Sequence, residues 1–330
     1  MSFVPHSDAD RREMFAKIGV SDIRELYSNV PATLIREGLP EMPDALSEWE
    51  AVRAIQEMAS QNHSLVCFAG AGQYDHFVPA AVDHLIRRSE FYTAYTPYQP
   101  EVSQGTLQVI YEFQTMVCEL TGMDVANASM YDGPSAAAEA AVMARAVTRR
   151  DRVLAAGSLN PHYRKVTDTY LRGQGSELQG IPTGSDGLVD RDALAGALGD
   201  DVACLIVQYP NFFGVIEEIE PLAELVQQAG ALLVVVADPV TLAVLRSPGE
   251  LGADIVVAEG QPFGNPLSFG GPVGRLIAKK VEWGGAVAGR GGGGGVVVVE
   301  GGGCGGSGGG GGGGVGGGGA GGGVWGGGGG

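Results

Sequence analysis

Four cysteines, five histidines and no unbroken apolar run of membrane-spanning length set the first limits on this 330-residue chain. Cys67, Cys118, Cys204 and Cys304 make no Cys-x-x-Cys pair and no zinc spacing, and the first three sit in apolar runs. They read as buried thiols of a reducing compartment, not as a disulfide framework or a metal site. The longest apolar stretch, ALLVVVADPVTLAVL, is interrupted by Asp238 and Pro239, whereas a bilayer span needs ~20 residues. Met1–Pro5 carries no basic flank, so no targeting signal is read there. Positive charge is scarce as well: 21 Lys and Arg stand against 38 Asp and Glu, a net charge of −17. So acidic a chain repels phosphate backbones, which excludes sequence-independent nucleic-acid binding. The expectation is a soluble, cytoplasmic protein, long enough for one large domain with a smaller piece attached.

What the chain has in excess is glycine, 56 residues, most of them past Gly284. About two-thirds of residues 284–330 are glycine, with no Gly-X-Y period, so a collagen helix is excluded. Ordering a backbone costs ~1–2 kcal/mol per residue, glycine most of all, and the scattered Val, Trp and Cys of this segment offer little apolar surface to offset it. Disorder is expected for 284–330.

Residues 1–62 read as a helical arm. Ser7, with Asp10 three residues on, can cap DADRREMFAKIG in the manner of a capping box. Ser21 can cap DIRELYSNV, and Ser47 can cap EWEAVRAIQEMASQ, where Trp49, Val52, Ile55 and Met58 recur at helical spacing. The arm is too thin to form its own core. Residues 63–283 read as an α/β domain. A short strand is expected at Val66, Cys67 and Phe68, then a loop FYTAYTPYQPEVSQG and a helix from about Thr106 to Thr121. Beyond an alanine-rich helix, strand runs DRVLAA, SELQGIP, VACLIVQYP, ALLVVVAD and GADIVVAEG alternate with helical segments such as HYRKVTDTYLRGQG and EIEPLAELVQQAG. Continuous apolar strands between helices of 10–15 residues predict a mainly parallel sheet covered on both faces. Such sheets bind ligands beyond the carboxyl ends of their strands.

The residues just past each strand are therefore the candidates. In MYDGPSAAAEAA, Asp132 and Ser135 open a helix whose free N–H groups suit an anion, or they act as ordinary caps. His162 or Tyr163, in SLNPHYRKV, can stack on a planar ring or stand at an exposed helix start. Gln208, Pro210 and Asn211 begin a loop in which Phe212 and Phe213 can line a pocket or meet a neighbouring chain. Asp238 ends a buried strand, as a site carboxylate or as the cap of the turn at Pro239. Gln261 follows the last strand of the series. Lys279 and Lys280 close the strand GRLIAKK and read as its polar end.

Taken together and in this order, FVPHSDADRREMFAKIGVSDIRELYSNVP, YTPYQPEVSQGTLQVIYEFQTMVCELTGMDVANASMYDGPSAAAEA, VQYPNFFGVIE and EGQPFGNPLSFGGPVG resemble the glycine decarboxylase P-protein of the glycine cleavage system. The resemblance is to the alpha subunit (subunit 1) of the split form and covers about residues 1–280. It implies the fold-type I architecture of pyridoxal-phosphate (PLP) transferases and a heterotetramer of two alpha and two beta subunits. PLP sits on a lysine of the beta subunit, glycine is decarboxylated, and the aminomethyl group passes to the lipoyl arm of the H-protein. Gln261 stands where the beta-like half has that lysine, and Asp238 stands where the fold pairs a carboxylate with the pyridine nitrogen. Asp132, Ser135, His162, Asp238 and Gln261 then form a vestigial pocket. Tyr95, Tyr98, Glu101 and Gln104 are expected to line the partner's active site or lipoyl channel. The family continues past residue 280 with a carboxyl-terminal domain where this sequence has its glycine-rich segment, so the isolated chain is expected to be unstable and inactive alone. Two alternatives remain: a PLP enzyme of another class, which requires a lysine soon after Glu259, and a scaffold that only stabilises the beta subunit.

Overall fold

A computed structural model describes residues 6–36, 38, 43–63, 65–66, 68, 70–72, 74–94, 96–267, 275–281 and 297–298. The chain divides into two compact units, Met1–Phe68 and Ala69–Gly330. In the first, α1 (Asp8–Ile18) begins with the capping box of Ser7 and Asp10 and ends at Gly19. The second helix, α2 (Glu48–Ala59), begins with the same device from Ser47 and Glu50. Between them DIRELYSNV forms only a 3-10 turn, Ile23–Tyr27, capped by Asp22 and not by Ser21, whose amide donates to the Glu25 carboxylate at 2.9 Å. No residue of α1 or α2 is buried, and the stripe Trp49, Val52, Ile55, Met58 is exposed. The strand expected at Val66–Phe68 does not form at the two described positions: Val66 and Phe68 are exposed and outside any strand. Cys67 lies outside the described residues.

The second unit runs α3 (Ala80–Ile86), α4 (Gln104–Thr121), β1 (Val125–Ala126), α5 (Gly133–Thr148), β2 (Arg152–Ala156), α6 (Pro161–Arg172), β3 (Leu178–Ile181), α7 (Arg191–Ala197), β4 (Val202–Tyr209), α8 (Ile219–Gln228), β5 (Leu232–Ala237), β6 (Ile255–Glu259), β7 (Arg275–Lys279) and β8 (Val297–Val298). The strands make one sheet in the order β3-β2-β4-β5-β6-β7-β1-β8. From β3 to β6 every pairing is parallel. β7 then runs antiparallel to both β6 and β1, so β1 points the same way as the parallel set. Strands β4 and β5 are buried almost residue by residue, which requires cover on both faces. α5 packs across β4, β5, β6 and β7, and α8 lies against β5. Within the glycine-rich segment, Val297–Val298 pair with β1, so at those two residues a ladder replaces the expected disorder. The rest of 284–330 lies outside the described residues.

This register puts one edge of the sheet in charge of the candidate residues. The parallel strands end at Ala156, Ile181, Tyr209, Ala237 and Glu259. α5 begins at the same edge, because β1 feeds it in the same direction.

Candidate functional site

At the start of α5 the Asp132 carboxylate accepts the Ser135 amide at 2.6 Å, and the Ser135 hydroxyl donates to the Asp132 carbonyl at 3.1 Å. This capping box is the local reason the helix starts here, with Pro134 in its first turn. It also means that Asp132 already occupies the anion position at the helix end. A methyl group built on Gly133 would lie 2.8 Å from Cζ of Tyr163 and closer still to its hydroxyl. The Tyr163 phenol therefore fills the space against the first residue of α5.

Past β2, Asn160 is the organising residue. Its side-chain oxygen accepts the His162 amide at 2.9 Å and so caps α6; its own amide donates to Oε1 of Gln208 at 2.9 Å. Its Nδ2 reaches the Ala71 carbonyl at 3.3 Å. Ala71 sits between Gly70 and Gly72 in a run of three positive φ values, its own being 64°. A non-glycine residue holds that conformation only where its surroundings fix it, and the Asn160 bond is such a fixture. His162 itself is exposed, in the first turn of α6. Sequence reasoning passed over Asn160, although Asn followed by Pro at a helix start is a readable cap signature.

Past β4, Asn211 is buried and its side chain donates to the Gly187 carbonyl and to Oε1 of Glu217, both at 2.8 Å. Its Oδ1 accepts the amides of Phe213 and Val215 at 3.0 and 3.1 Å. Phe212 and Phe213 meet edge to face at 6.1 Å, with Phe213 exposed. Past β5, Asp238 accepts the Val240 amide at 3.0 Å, and its carbonyl accepts the Thr241 hydroxyl at 2.7 Å, so the carboxylate caps the turn that begins at Pro239.

Past β6, Gln261 is only 6% exposed and donates its side-chain amide to the Asn265 carbonyl. No lysine occurs between Glu259 and Ala278. Lys279 pairs with Ile255, the first residue of β6, while Glu259 pairs with Arg275. Lys279 therefore stands at the opposite edge of the sheet, ~13 Å away at ~3.3 Å per residue. It is buried, and burial pushes its ammonium below the ordinary lysine range. Lys280 donates to Asp254 at 3.0 Å. Both lysines serve the sheet's far end.

The remaining candidates sit elsewhere in the second unit. Tyr98 is 82% exposed. Glu101 and Gln104 share a surface cavity of about 420 Å³ with Pro100, Leu107, Gln108 and Tyr111 at the start of α4. Tyr95 lies outside the described residues. The structure thus separates two sets: an edge at which Asp132, Ser135, Asn160, Asn211, Asp238 and Gln261 bond within the chain, and an exposed loop leading into α4.

Comparison with known proteins agrees with this architecture. Residues 1–295 match the glycine cleavage system P-protein family. The chain is 49% identical over 293 residues to a probable glycine dehydrogenase (decarboxylating) subunit 1 of Desulfitobacterium hafniense, covering 88% of this chain and 66% of that protein. It is 50% identical over 282 residues to the protein of the same name from Moorella thermoacetica, covering 86% of this chain and 63% of that one. The chain thus spans just under two-thirds of these relatives' length. A crystal structure of glycine decarboxylase (P-protein) in inhibitor-bound form superposes with a TM-score of 0.78 at 41% identity, covering 86% of this chain and 64% of that one. A sphingosine-1-phosphate lyase from Burkholderia pseudomallei shares the fold at 14% identity and a TM-score of 0.56, over 77% of this chain and 64% of its own. The fold-type I PLP-transferase-like fold is therefore the architecture of this chain's α/β unit.

Proposed function

The chain belongs to the glycine cleavage system P-protein family, and from that premise we propose that it is one subunit of a cytoplasmic glycine dehydrogenase (decarboxylating) whose PLP is carried by a second subunit. Gln261 is the observation that carries this division of labour. It occupies the strand end where the cofactor's anchor is expected, and an amide nitrogen is not a nucleophilic amine. The phenol of Tyr163 against Gly133 and the Asp132 cap at α5 leave the phosphate position filled from within. Asp238 spends its carboxylate on the Val240 turn. The residues at this edge do not fit a covalently held PLP; Asp132, Ser135, His162, Asp238 and Gln261 make a remnant pocket.

Bound in the partner, PLP supplies the electron sink for loss of carbon dioxide from glycine. The part assigned to this chain is to complete that site from outside. Tyr98 and Glu101, on an exposed loop, and Gln104, in the first turn of α4, present phenol, carboxylate and amide groups available to a surface other than their own; Tyr95 is assigned the same role. They orient the substrate or line the passage for the lipoyl arm of the H-protein, in an assembly of two subunits of each kind.

Mixing the chain with the second subunit and lipoylated H-protein, and following exchange of labelled carbon dioxide into glycine, tests this. Tyr95→Phe, Tyr98→Phe and Glu101→Gln should each slow exchange roughly tenfold or more, the equivalent of ~1.4 kcal/mol of lost transition-state contact, with assembly by size-exclusion chromatography intact. Unchanged exchange in an intact assembly would reduce the chain to a scaffold. A covalent PLP adduct on this chain after borohydride would overturn the division of labour outright.

A further inference from the structure

The buried acid Glu217 has no part in the reading above. It is 3% exposed. Its Oε1 accepts the Ser158 hydroxyl and the Asn211 side-chain amide, both at 2.8 Å, and its Oε2 accepts the Val189 backbone amide at 3.1 Å. Ser158 is fully buried and Asn211 nearly so. These three donors come from three segments: the loop after β2, the loop after β4, and the turn that leads from β3 into α7. A carboxylate is an acceptor with no proton to offer, so three donors converging on one match it and no neutral side chain of the same shape.

From this knot the bonds run outward to the rim. The Ser158 carbonyl accepts the Phe212 amide at 2.9 Å. Two residues on from Ser158 lies Asn160, which joins Gln208 and the strained Ala71 turn. Asn211, held by Glu217, in turn holds the amides of Phe213 and Val215.

We infer that Glu217 is a positioning residue that sets the shape of the strand-end rim, acting through Ser158 and Asn211 to fix the loop 210–217 and, beyond it, Asn160 and the turn at Ala71. A rim fixed in this way meets whatever docks there without further ordering. The inference does not depend on the glycine-decarboxylating reading.

Amide hydrogen exchange on the full chain tests it, because a positioning role and a general stabilising role leave different patterns. In Glu217→Gln one donor must face the new NH₂ group, and the amides of Val189, Phe213 and Val215 should exchange about tenfold or more faster, the fold-change of one lost charge-assisted bond. Those of Val234, Val235 and Val236 in β5 should stay as in the parent. Ser158→Ala, a milder change, should give the same pattern, and it decides the matter should Glu217→Gln not fold. The double variant should exchange no faster than Glu217→Gln alone, since both break one knot. Glu218→Gln, at the adjacent carboxylate paired with Arg191, should change none of these amides. A uniform rise in rim and β5 together, or no rise at the rim, overturns the inference.

Discussion

Gly249 lies against the C-terminal end of α4, the helix whose first turn carries Gln104, and the contact is backbone on backbone. Its amide donates to the Thr121 carbonyl at 2.9 Å. A methyl group at position 249 would sit 2.9 Å from that same oxygen and deeper still inside the carbonyl of Gly122. Neither partner can rotate away, since Gly122 ends α4 in the left-handed region at φ 70° and its own α-carbon faces the 247–250 loop. Gly249→Ala must therefore part the two backbones. Overpacking of this kind costs ~1–3 kcal/mol, and the lost hydrogen bond adds ~1 kcal/mol. The stiffer unfolded chain returns ~0.4–1 kcal/mol. The net is a destabilisation of about 2 kcal/mol, which at ~2–4 °C per kcal/mol for a domain of this size lowers Tm by about 4–8 °C. Gly196→Ala supplies the opposite sign. Position 196 is inside α7, exposed, with nothing within 4 Å of the added methyl, so only helix propensity acts and Tm should rise by about 1–4 °C. Thermal unfolding of the two variants by circular dichroism decides. A Gly249→Ala midpoint within a degree of the parent, or shifts of the same sign, would refute the steric reasoning.

Three further outcomes follow from buried groups. Burial pushes the Cys204 thiol up to about 12 and the Cys118 thiol up to about 11, so iodoacetamide at pH 8 should leave both unlabelled in the native chain and label both in urea, as read by peptide mass. Because both folded values lie above the unfolded thiol's ~8.5, the stability they contribute is complete below that pH. It should fall as pH rises toward 11 and 12; Cys204→Ala should remove part of that fall in the urea midpoint between pH 8 and 10.5, and a slope unchanged from the parent would contradict this. Lys280→Met should cost about 2 kcal/mol by urea unfolding, since Asp254 is left as a nearly buried carboxylate held, among the described residues, by the Leu233 amide alone; Lys280→Arg should recover most of the loss.

The strands of the parallel set were legible because a buried parallel strand is an unbroken apolar run, and VACLIVQYP and ALLVVVAD are little else. The helix caps at Ser7 and Ser47 were legible for a similar reason: their signal is local, complete within four residues. Direction was not legible. Nothing in GRLIAKK states its direction, and only the chain's path makes β7 antiparallel and sends Lys279 to the far edge. Val66–Phe68 had the composition of a strand, but Val66 and Phe68, the described residues of the three, lie outside any strand.

Glu217 and Glu218 set the limit of what local sequence carries at the site. They are neighbours in the run EEIE, and nothing in composition or spacing separates them. One is buried under three donors, and the other is exposed against Arg191. What distinguishes them is the arrival of Ser158 from 59 positions away and of Val189 from 28, a tertiary event that no local pattern encodes. Gln261 is the converse. Its identity, an amide at the end of β6, is fully visible in one letter. The residue type at a strand end is thus readable from sequence, while the scaffolding that shapes the strand ends emerges only when separated segments meet.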